Sequence, residues 1–317
     1  MKAETAPKIA TREAYGRALI TLGETRDDVI VLDADLSGST KTKDFSKAFP
    51  ERFFNMGVAE ANMMGTAAGL AAMGKTVFAS SFAMFAAGKA WEQTRQSICV
   101  PNLPVKICAT HAGLTVGEDG KSHQMLEDIT LMRVLPNMTV VVPADATEAE
   151  QVVAAVANTS GPVYVRLSRG ATPVLFDSSY KFELGKGCVL REGNDIALVC
   201  TGVEVSACLE AAELLAARGI NARVVNIATI KPIDEELITL CARECGAILT
   251  AEEHQVKGGL GSAVAEVVVQ HAPVLMDFVG LQGQFGQSGT GTELLEHYGL
   301  DPRSITERAT KLFERKA

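Results

Sequence analysis

The sequence predicts an α/β protein with two open, mainly parallel-sheet domains. Strand-like and helix-like patterns alternate along most of the 317 residues, which is typical of helices layered on a parallel sheet. The alternation is interrupted by a less regular stretch at 171–187 and then restarts. A chain of this length suits about two domains. We therefore predict one domain over residues 1–180 and a second over residues 181–317.

The individual elements follow from local patterns. Runs with apolar residues three and four positions apart favour helices, and short runs of apolar, β-branched residues favour buried strands. In the first domain the expected helices are 13–24, one that begins near Glu60, 88–100 and 147–159, and the expected strands are 28–36, 75–80, 104–110, 137–145 and 161–169. In the second domain the expected strands are 195–202, 221–230 and 246–253, and the expected helices are 205–219 and one near 234–244.

Composition and charge exclude several classes of protein. Hydrophobic residues make up 47% of the chain and charged residues 21%, as in a globular protein with a large core. The net charge of −8, with no Lys/Arg cluster among aromatic residues, argues against a nucleic-acid partner. Residues 53–74 are nearly uncharged, but four glycines, two asparagines and Glu60 favour a buried helix, so we expect no membrane span.

The N-terminus and the cysteines indicate a cytoplasmic protein. Residues 1–17 contain no apolar core segment, so we expect no signal peptide. The seven cysteines are scattered, odd in number and without paired metal-ligand spacing, which suits reduced, mostly buried thiols. Cys241 and Cys245 can share a helix face, but no second pair accompanies them, so we expect no metal site in this chain.

Glu60 is the one charged residue between Arg52 and Lys75. On a helical period it shares a face with methionine and alanine, and no Lys or Arg lies within a turn of it. A carboxylate in such surroundings is costly unless something pairs with it. Two interpretations stay open: an anion favoured by a helix N-terminus, or a desolvated carboxylate that shares a proton with a ligand.

Polar residues after a predicted strand are the second group of candidates. His111 ends the strand, and Glu118, Asp119 and His123 lie in the Gly-rich loop that follows. This is the edge at which open α/β sheets bind ligands. Neutral imidazoles there can hydrogen-bond hydroxyl groups or move protons, although a solvated polar loop explains the same residues.

Two aromatic and three basic residues complete the candidates. Phe82 and Phe85 stand three apart after a strand and can offer ring faces to a planar ligand, although such a pair is more often core. Arg12, Arg166 and Arg169 are candidate phosphate ligands, and each can equally be a surface residue. The sequence has no GxGxxG dinucleotide loop, no GxxxxGK(S/T) phosphate loop, no GxSxG elbow and no HExxH zinc motif.

Three stretches taken together carry a family resemblance: RFFNMGVAEANMMGTAAGLAAMG, FASSFAMFAAGKA and THAGLTVGEDGKSHQ. Their order and spacing resemble the pyrimidine-binding domain of transketolases, and VLDADLSGST is similar to the segment ahead of the catalytic Glu in that family. The restarted pattern after residue 185, with FGQSGTGTELLEHYGL, resembles the transketolase C-terminal domain. The resemblance covers nearly the whole chain and implies thiamine diphosphate as the cofactor.

The resemblance also implies a partner. Full-length transketolases have an N-terminal domain that binds diphosphate and holds a divalent metal (Mg or Ca) with a GDG…N motif, and this sequence contains no GDG. It therefore resembles the C-terminal subunit of a split transketolase, with a separate N-terminal subunit and an α2β2 assembly. The implied reaction transfers a two-carbon ketol unit from a ketose phosphate to an aldose phosphate.

Residue roles are implied position by position. Glu60 matches the catalytic Glu that hydrogen-bonds a ring nitrogen of the thiamine aminopyrimidine. Phe82 and Phe85 match the aromatic residues around the pyrimidine, and Asp35 matches an acidic residue near the cofactor. The implied substrate-binding residues are His111, Asp119 and His123, which contact sugar hydroxyls or phosphate, and Arg12, Ser39 and Arg169, which bind the phosphate. With Glu60, the resemblance makes His111 and His123 the catalytic positions.

Departures from the family pattern keep alternatives open. Gly88 stands where many full-length enzymes have Tyr, so part of the cofactor pocket must be filled otherwise, and Lys121 adds a positive charge near the entrance. Deoxyxylulose-phosphate synthases and 2-oxoacid dehydrogenase β subunits are the nearest thiamine-enzyme alternatives, but EANMMG and the TH…GEDG loop favour a transketolase. A non-catalytic regulatory or stabilising subunit is the further alternative, although a scaffold needs none of the site residues.

Overall fold

A computed structural model describes residues 6–316, in which strands and helices alternate. The strands are β1 (Lys8–Ala10), β2 (Val29–Asp33), β3 (Phe53–Asn55), β4 (Thr76–Phe82), β5 (Val105–Thr110), β6 (Thr139–Val141), β7 (Val163–Arg166), β8 (Ala171–Pro173), β9 (Cys188–Arg191), β10 (Ile196–Cys200), β11 (Ala222–Asn226), β12 (Thr229–Lys231), β13 (Ala247–Gln255) and β14 (Leu275–Leu281). The α-helices are α1 (Thr11–Thr25), α2 (Ser37–Thr40), α3 (Lys43–Ala48), α4 (Glu60–Ala72), α5 (Trp91–Gln93), α6 (Asp128–Arg133), α7 (Ala146–Val156), α8 (Glu204–Ala216), α9 (Glu235–Cys245), α10 (Leu260–His271), α11 (Gly291–His297) and α12 (Pro302–Lys316). Other helical segments are the π-helices Met84–Lys89 and Thr94–Cys99 and the 3-10 segments Pro50–Arg52 and Leu114–Ser122.

Two main sheets carry the two halves of the chain. A seven-stranded sheet has the order β12-β6-β7-β5-β4-β2-β3, and a five-stranded sheet has the order β14-β13-β10-β11-β9. Within residues 6–316, the antiparallel pairs of these sheets are β12 with β6 and β9 with β11. A small third sheet pairs β1 with β8. The predicted α/β fold with two mainly parallel sheets is confirmed.

Strands β2, β4 and β5 are neighbours in the first sheet, and every residue of the three is buried. A parallel sheet covered on both faces requires such uninterrupted burial. The register pairs Asp33 with Ser80 and Phe82 with Thr110, so the carboxyl ends of these strands meet at one edge. This edge carries the candidate site.

Helix α4 contains the apolar run that includes Glu60. The buried residues of α4 recur every three or four positions along one face of the helix, and this face packs on the sheet. The glycines of the helix lie on the opposite, outer side. The buried residues are Glu60, Met63, Met64, Ala67, Ala68 and Ala71. The helix is 13 residues long. None of the helices within residues 6–316 is long and apolar enough to cross a membrane.

The two halves are joined by more than the connecting chain. Strand β12, from the second half, forms the edge of the first sheet against β6. Glu148 Oε1 accepts hydrogen bonds from the Tyr180 hydroxyl at 2.5 Å and from the Asn226 amide at 2.8 Å. These bonds link α7, the connecting segment and β11. One apolar core cluster also contains residues from both halves, including Ile107 and Ile248.

Some predicted elements differ from the structure. The helix expected at 88–100 is interrupted, because π-helical turns flank the short α5. The strand expected at 221–230 is two strands, because the chain leaves the second sheet after β11 and joins the first sheet as β12. Helix α10 was not predicted and has no local side-chain cap; its first N–H groups donate instead to the Glu252 carboxylate, at 2.7 and 2.8 Å.

Glu204 lies in the first turn of α8 and is buried, and neither of its carboxyl oxygens has a hydrogen-bond partner among residues 6–316. Burial raises the pKa of Glu204 well above its ordinary value, and the neighbouring Cys208 and Glu253 raise it further. The folded chain therefore keeps a proton that the unfolded chain loses at lower pH. A group with a raised acid pKa favours folding at low pH, and that contribution is lost as the pH rises.

We expect Glu204→Gln to flatten the pH dependence of stability, because the amide has no proton to lose. For this one group, linkage gives a fall of about 1.4 kcal/mol per pH unit above its unfolded pKa. Urea unfolding of the wild type and the variant between about pH 5 and pH 8 measures the difference. Glu213→Gln, on the exposed side of the same helix, is the matched control. Equal slopes for wild type and Glu204→Gln would contradict a buried neutral carboxyl.

Candidate active site

Four rings come together at the carboxyl edge of β4 and β5. The Phe82 ring stacks on the His111 ring, with centroids 3.8 Å apart and an interplanar angle of 22°. Phe85 stacks on Phe82 less closely, with their ring centroids 6.0 Å apart. His123 approaches Phe85 edge-on at 5.6 Å. The structure thus brings together the two predicted phenylalanines and the two predicted histidines.

Phe85 lies in the π-helix Met84–Lys89, which directly follows β4. Single π-helical turns are frequent at functional sites, because the wider turn redirects the side chains along it. Here the turn places Phe85 beside the histidines and directs Lys89 toward α4. A Cβ at Gly88 would lie 3.7 Å from the Met125 methyl and 3.8 Å from the Met84 sulfur. Two methionines therefore border the position at which the family pattern has Tyr.

Glu60 is 2% exposed and is the first residue of α4. The Lys89 Nζ lies 2.6 Å from Glu60 Oε2, which forms an ion pair although the contact does not have hydrogen-bond geometry. No Lys or Arg lies within a turn of Glu60 in the sequence, so local spacing did not indicate this cation. Glu60 and Lys89 are 29 positions apart in the sequence, and the fold brings them into contact. The Lys89 side chain is 54% exposed, so the cation lies at the surface of the site.

His111 follows β5 in the left-handed backbone region, with φ of 57°. Its Nδ1 lies 2.9 Å from the Thr110 hydroxyl, and its Nε2 lies 3.3 Å from an Arg12 guanidinium nitrogen. Burial, together with the positive charges of Arg12 and Arg169, lowers the pKa of His111 to about 3. The imidazole is therefore neutral near pH 7, and its Nε2 can accept from Arg12.

Asp33 organises the segment that carries Asp35 and Ser39. The Asp33 carboxylate accepts hydrogen bonds from the Leu36 N–H at 2.6 Å and from two hydroxyls, Thr40 at 2.6 Å and Thr42 at 3.0 Å. Burial raises the pKa of Asp33, whereas these three donors oppose the rise. The carboxylate thus holds a tight turn just after β2.

Within that turn, the Ser39 carbonyl accepts a hydrogen bond from Arg12 at 2.9 Å. The contact involves the backbone of Ser39, whereas the resemblance implied a role for this residue in phosphate binding. Asp35 is exposed, has φ of 64° and accepts from the Asn55 amide at 3.0 Å. Arg12 connects this turn to His111.

Arg169 lies on the other side of the loop. Its guanidinium donates to the Val116 carbonyl and lies 3.2 Å from Glu118 Oε2 and 3.9 Å from Asp119 Oδ2. Arg12 and Arg169 both line a cavity of about 470 Å³, whose walls also include residues of the second half, Ser206 and Thr292 among them. Two guanidinium groups facing one cavity suit an anion.

Arg166 is a wrong candidate for phosphate binding. It is 6% exposed, its Nε donates to Asp128 Oδ2 at 2.8 Å, and a further guanidinium nitrogen lies 3.9 Å from Glu253 Oε2. These buried partners neutralise its charge in the interior. The sequence of strand β7 indicated that Arg166 is buried. Arg166 belongs to the continuous buried run VYVR and does not follow it.

Residues 7–174 match the transketolase pyrimidine-binding domain, and residues 185–305 match the transketolase C-terminal domain. The chain belongs to the transketolase family. A protein of Methanocaldococcus jannaschii that carries the name transketolase C-terminal section is 51% identical over 94% of this chain and 94% of its own length. A 6-deoxy-6-sulfo-D-fructose transketolase subunit from a Clostridium species is 40% identical over 96% of this chain and 95% of its own.

A solved structure shares the whole fold of this transketolase-family chain. It is a split-gene transketolase in the form of an inactive β4 tetramer, with a TM-score of 0.92 and 55% identity over 98% of this chain and 100% of that one. The match to the pyrimidine-binding domain spans all the site residues predicted from the sequence, from Arg12 to Arg169. Within residues 6–316, no three His, Cys, Asp or Glu side chains form a group able to hold a metal ion, and the cysteines are free thiols.

Three residues around the candidate site were not predicted. Asp33 could have been recognised from its position at the end of a buried strand ahead of several hydroxyl residues. Lys89 is the first cation after the phenylalanines, but only the π-helical turn directs it to Glu60. Glu253 comes from the second half and contacts the loop after His111, a long-range pairing with no local signal.

We expect the imidazole of His111 to stay neutral down to about pH 3, as its lowered pKa requires. In Arg12→Gln the titration midpoint rises, because one of the two guanidinium charges that disfavour protonation is lost. Nitrogen-15 NMR of the imidazole measures both midpoints. Arg17→Gln, which removes an exposed cation of the same helix that pairs with Glu150, is the control. A wild-type midpoint near the ordinary value of about 6.5 would overturn the assignment.

Proposed function

We propose that this chain is the pyrimidine-binding subunit of a two-chain transketolase. In this proposal it transfers a two-carbon ketol unit from a ketose phosphate to an aldose phosphate, with thiamine diphosphate as cofactor. The observation that carries the proposal is the buried Glu60 carboxylate, whose Oε2 makes no hydrogen bond within residues 6–316. Its ion pair with Lys89 places it beside the π-helix that carries Phe85, whose ring stacks on Phe82. The match to both transketolase domains supports it.

The residues fit an aminopyrimidine. Among residues 6–316, Glu60 Oε2 is a buried acceptor that makes no hydrogen bond and meets only the largely exposed Lys89 cation, and a protonated ring nitrogen would supply a hydrogen-bond donor. Phe82 and Phe85 lie nearly parallel, with an interplanar angle of 14°, and present flat apolar surface. Bound thiamine diphosphate would supply a nucleophilic carbon and accept the electrons of the broken carbon–carbon bond. Asp35, exposed at the end of the β2 turn, is the acidic residue proposed near the cofactor.

Glu60 would hold a proton between its Oε2 and that ring nitrogen. Lys89 competes for the same oxygen, and because its side chain is largely exposed it can move into solvent when the nitrogen arrives. A cation that remained beside the carboxylate would favour its charged form and weaken proton sharing. The apolar face of α4 excludes water from the site, which strengthens the remaining hydrogen bond.

The other side chains would bind and orient the sugar. Neutral His111 can both donate to and accept from hydroxyl groups, and His123 and Asp119 extend this polar wall. Arg12 and Arg169 would bind the terminal anion through the cavity they share. Ser39, whose carbonyl holds Arg12, completes the proposed anion site.

The terminal anion has a second candidate. One relative is named for a 6-deoxy-6-sulfo sugar, in which a sulfonate takes the place of a phosphate. Sulfonate and phosphate both accept from guanidinium groups, but a phosphate dianion carries the greater charge. Lys121 is exposed and lies in the same loop as Asp119. In this proposal it adds a positive charge near the entrance to the substrate site.

The partner in this proposal is a separate N-terminal transketolase subunit, which binds the diphosphate and holds Mg or Ca. Two copies of each chain form an α2β2 assembly, in which this chain also meets its own copy. Residues 1–180 form the pyrimidine-binding domain and residues 181–317 the C-terminal domain. We place the enzyme in the cytoplasm because its thiols are free.

We expect the purified chain alone to have negligible ketol-transfer activity, because the proposed diphosphate and metal ligands lie on the other subunit. Adding a chain that carries the GDG…N motif should produce turnover with thiamine diphosphate and a divalent metal. A coupled assay over xylulose, fructose and sedoheptulose phosphates, together with 6-deoxy-6-sulfofructose, also identifies the preferred terminal anion. Robust turnover by the chain alone would refute the two-subunit proposal.

We expect Glu60→Gln to lower kcat of the reconstituted enzyme by about 100-fold or more, because an amide cannot share the proton. Assembly with the partner, measured by size-exclusion chromatography, should be unchanged. Glu92→Gln, an exposed acidic residue in the nearby α5, is the control and should retain activity. Near-normal turnover of Glu60→Gln would rule out the proton-sharing role.

A further inference from the structure

The loop at residues 113–124 follows His111 and carries Asp119 and His123. It is not a regular helix, because Gly117 and Gly120 have positive φ values of 80° and 72° that interrupt the 3-10 turns. Hydrogen bonds within the loop are local: the Gly120 carbonyl, for example, accepts from the His123 and Gln124 N–H groups. Contacts from outside the loop also fix its shape, one from Arg169 in the first half and two sets from the second half.

The first contact is made by Glu253, near the end of β13. Glu253 Oε1 accepts a hydrogen bond from the Thr115 backbone N–H. Glu253 is 2% exposed, and Arg166 compensates its charge from the first half, at 3.9 Å from Oε2. Gly113 has φ of 85°, and a Cβ at this position would collide with the Glu253 carboxylate. The carboxylate therefore occupies space that only glycine leaves free.

The second contact is made by residues 286–291. The Gln124 amide donates to the Gln287 carbonyl at 3.0 Å and to the Gly117 carbonyl at 3.2 Å, so one side chain joins the loop to this segment. A Cβ on Gly120 would lie 2.5 Å from the Ser288 hydroxyl, which shows how closely the two backbones pack. The loop is thus held at its start by Glu253 and farther along by residues 286–291, in addition to the hydrogen bond that Arg169 donates to the Val116 carbonyl.

We propose that Glu253 is a positioning residue for the substrate. It fixes the loop at Thr115, and through the loop it sets the places of Asp119 and His123 at the sugar. The second domain in this way contributes to substrate binding through the loop, in addition to forming part of the wall of the cavity that Arg12 and Arg169 share. The kinetic part of this inference rests on the proposed function, whereas the structural part concerns the chain alone.

The test uses Glu253→Ala and Glu253→Gln in the full chain. Hydrogen exchange followed by mass spectrometry or NMR should show the Thr115 amide and the loop exchanging at least about tenfold faster in Glu253→Ala, because the acceptor is lost. Glu253→Gln keeps an oxygen that can accept, so protection should return to within about threefold of wild type. Glu252→Gln is the control: Glu252 is adjacent and equally buried, but it caps α10 instead of contacting the loop.

In the complex with the partner subunit, Glu253→Ala should raise KM for the ketose phosphate about tenfold or more while kcat changes less than about threefold. Glu253→Gln should largely rescue KM. If Glu253→Ala does not fold, Gly113→Ala provides a second variant. Its methyl group would collide with the Glu253 carboxylate, so the loop would be displaced although Glu253 itself is unchanged. It should give the same exchange and the same change in KM.

Unchanged loop exchange in Glu253→Ala, or in Gly113→Ala where that variant takes its place, would overturn the inference. Equal loss of loop protection in Glu252→Gln would do the same, because it would indicate general loosening of β13. An absence of ketol transfer in the wild-type complex would instead refute the proposed function, and the exchange experiment on the chain alone would still decide the positioning role.

Discussion

The parallel alignment of β2, β4 and β5 is the constraint on which the site depends. Hydrogen bonding fixes these strands in register, so each strand must release its chain at the same edge. Asp33, Phe82 and His111 leave the sheet there, and every later contact of the site is a consequence of that placement. The full burial of the strands allows no other arrangement, because a shift of one residue would exchange the side chains facing the two helical layers.

Compensation of charge in a dry interior is the second theme of the molecule. Asp33 meets three donors, Glu60 meets Lys89, and Arg166 lies between Asp128 and Glu253. Fixed partners of this kind stabilise a unique arrangement more than they stabilise folding itself, since desolvation offsets much of the attraction. The Glu60 pair differs from the other two because its cation is exposed and can be replaced. This difference separates a structural ion pair from one suited to an incoming ligand.

The sequence allowed the fold class, most elements of the first domain and the ring-forming residues to be predicted. These features depend on local periodicity or on motifs that keep their spacing. The ion pair of Glu60 was beyond such reasoning, because a π-helical turn rather than sequence spacing directs Lys89 to it. Glu253 and Thr115 are 138 positions apart, and nothing near either residue indicates the other. Arg166 was misjudged because a cation within a buried strand resembles a free one until its acidic partners are located.

Strand β12 has a consequence for how the chain can be divided. It belongs by sequence to the second half but hydrogen-bonds to β6 in the first sheet. A fragment that ended between the two sequence-matched domains would leave the buried β6 as an open edge, with unpaired backbone groups available to another chain. The boundary seen in the sequence is therefore not a boundary at which the polypeptide separates cleanly. The first sheet keeps its edge strand only when both domains are made as one polypeptide.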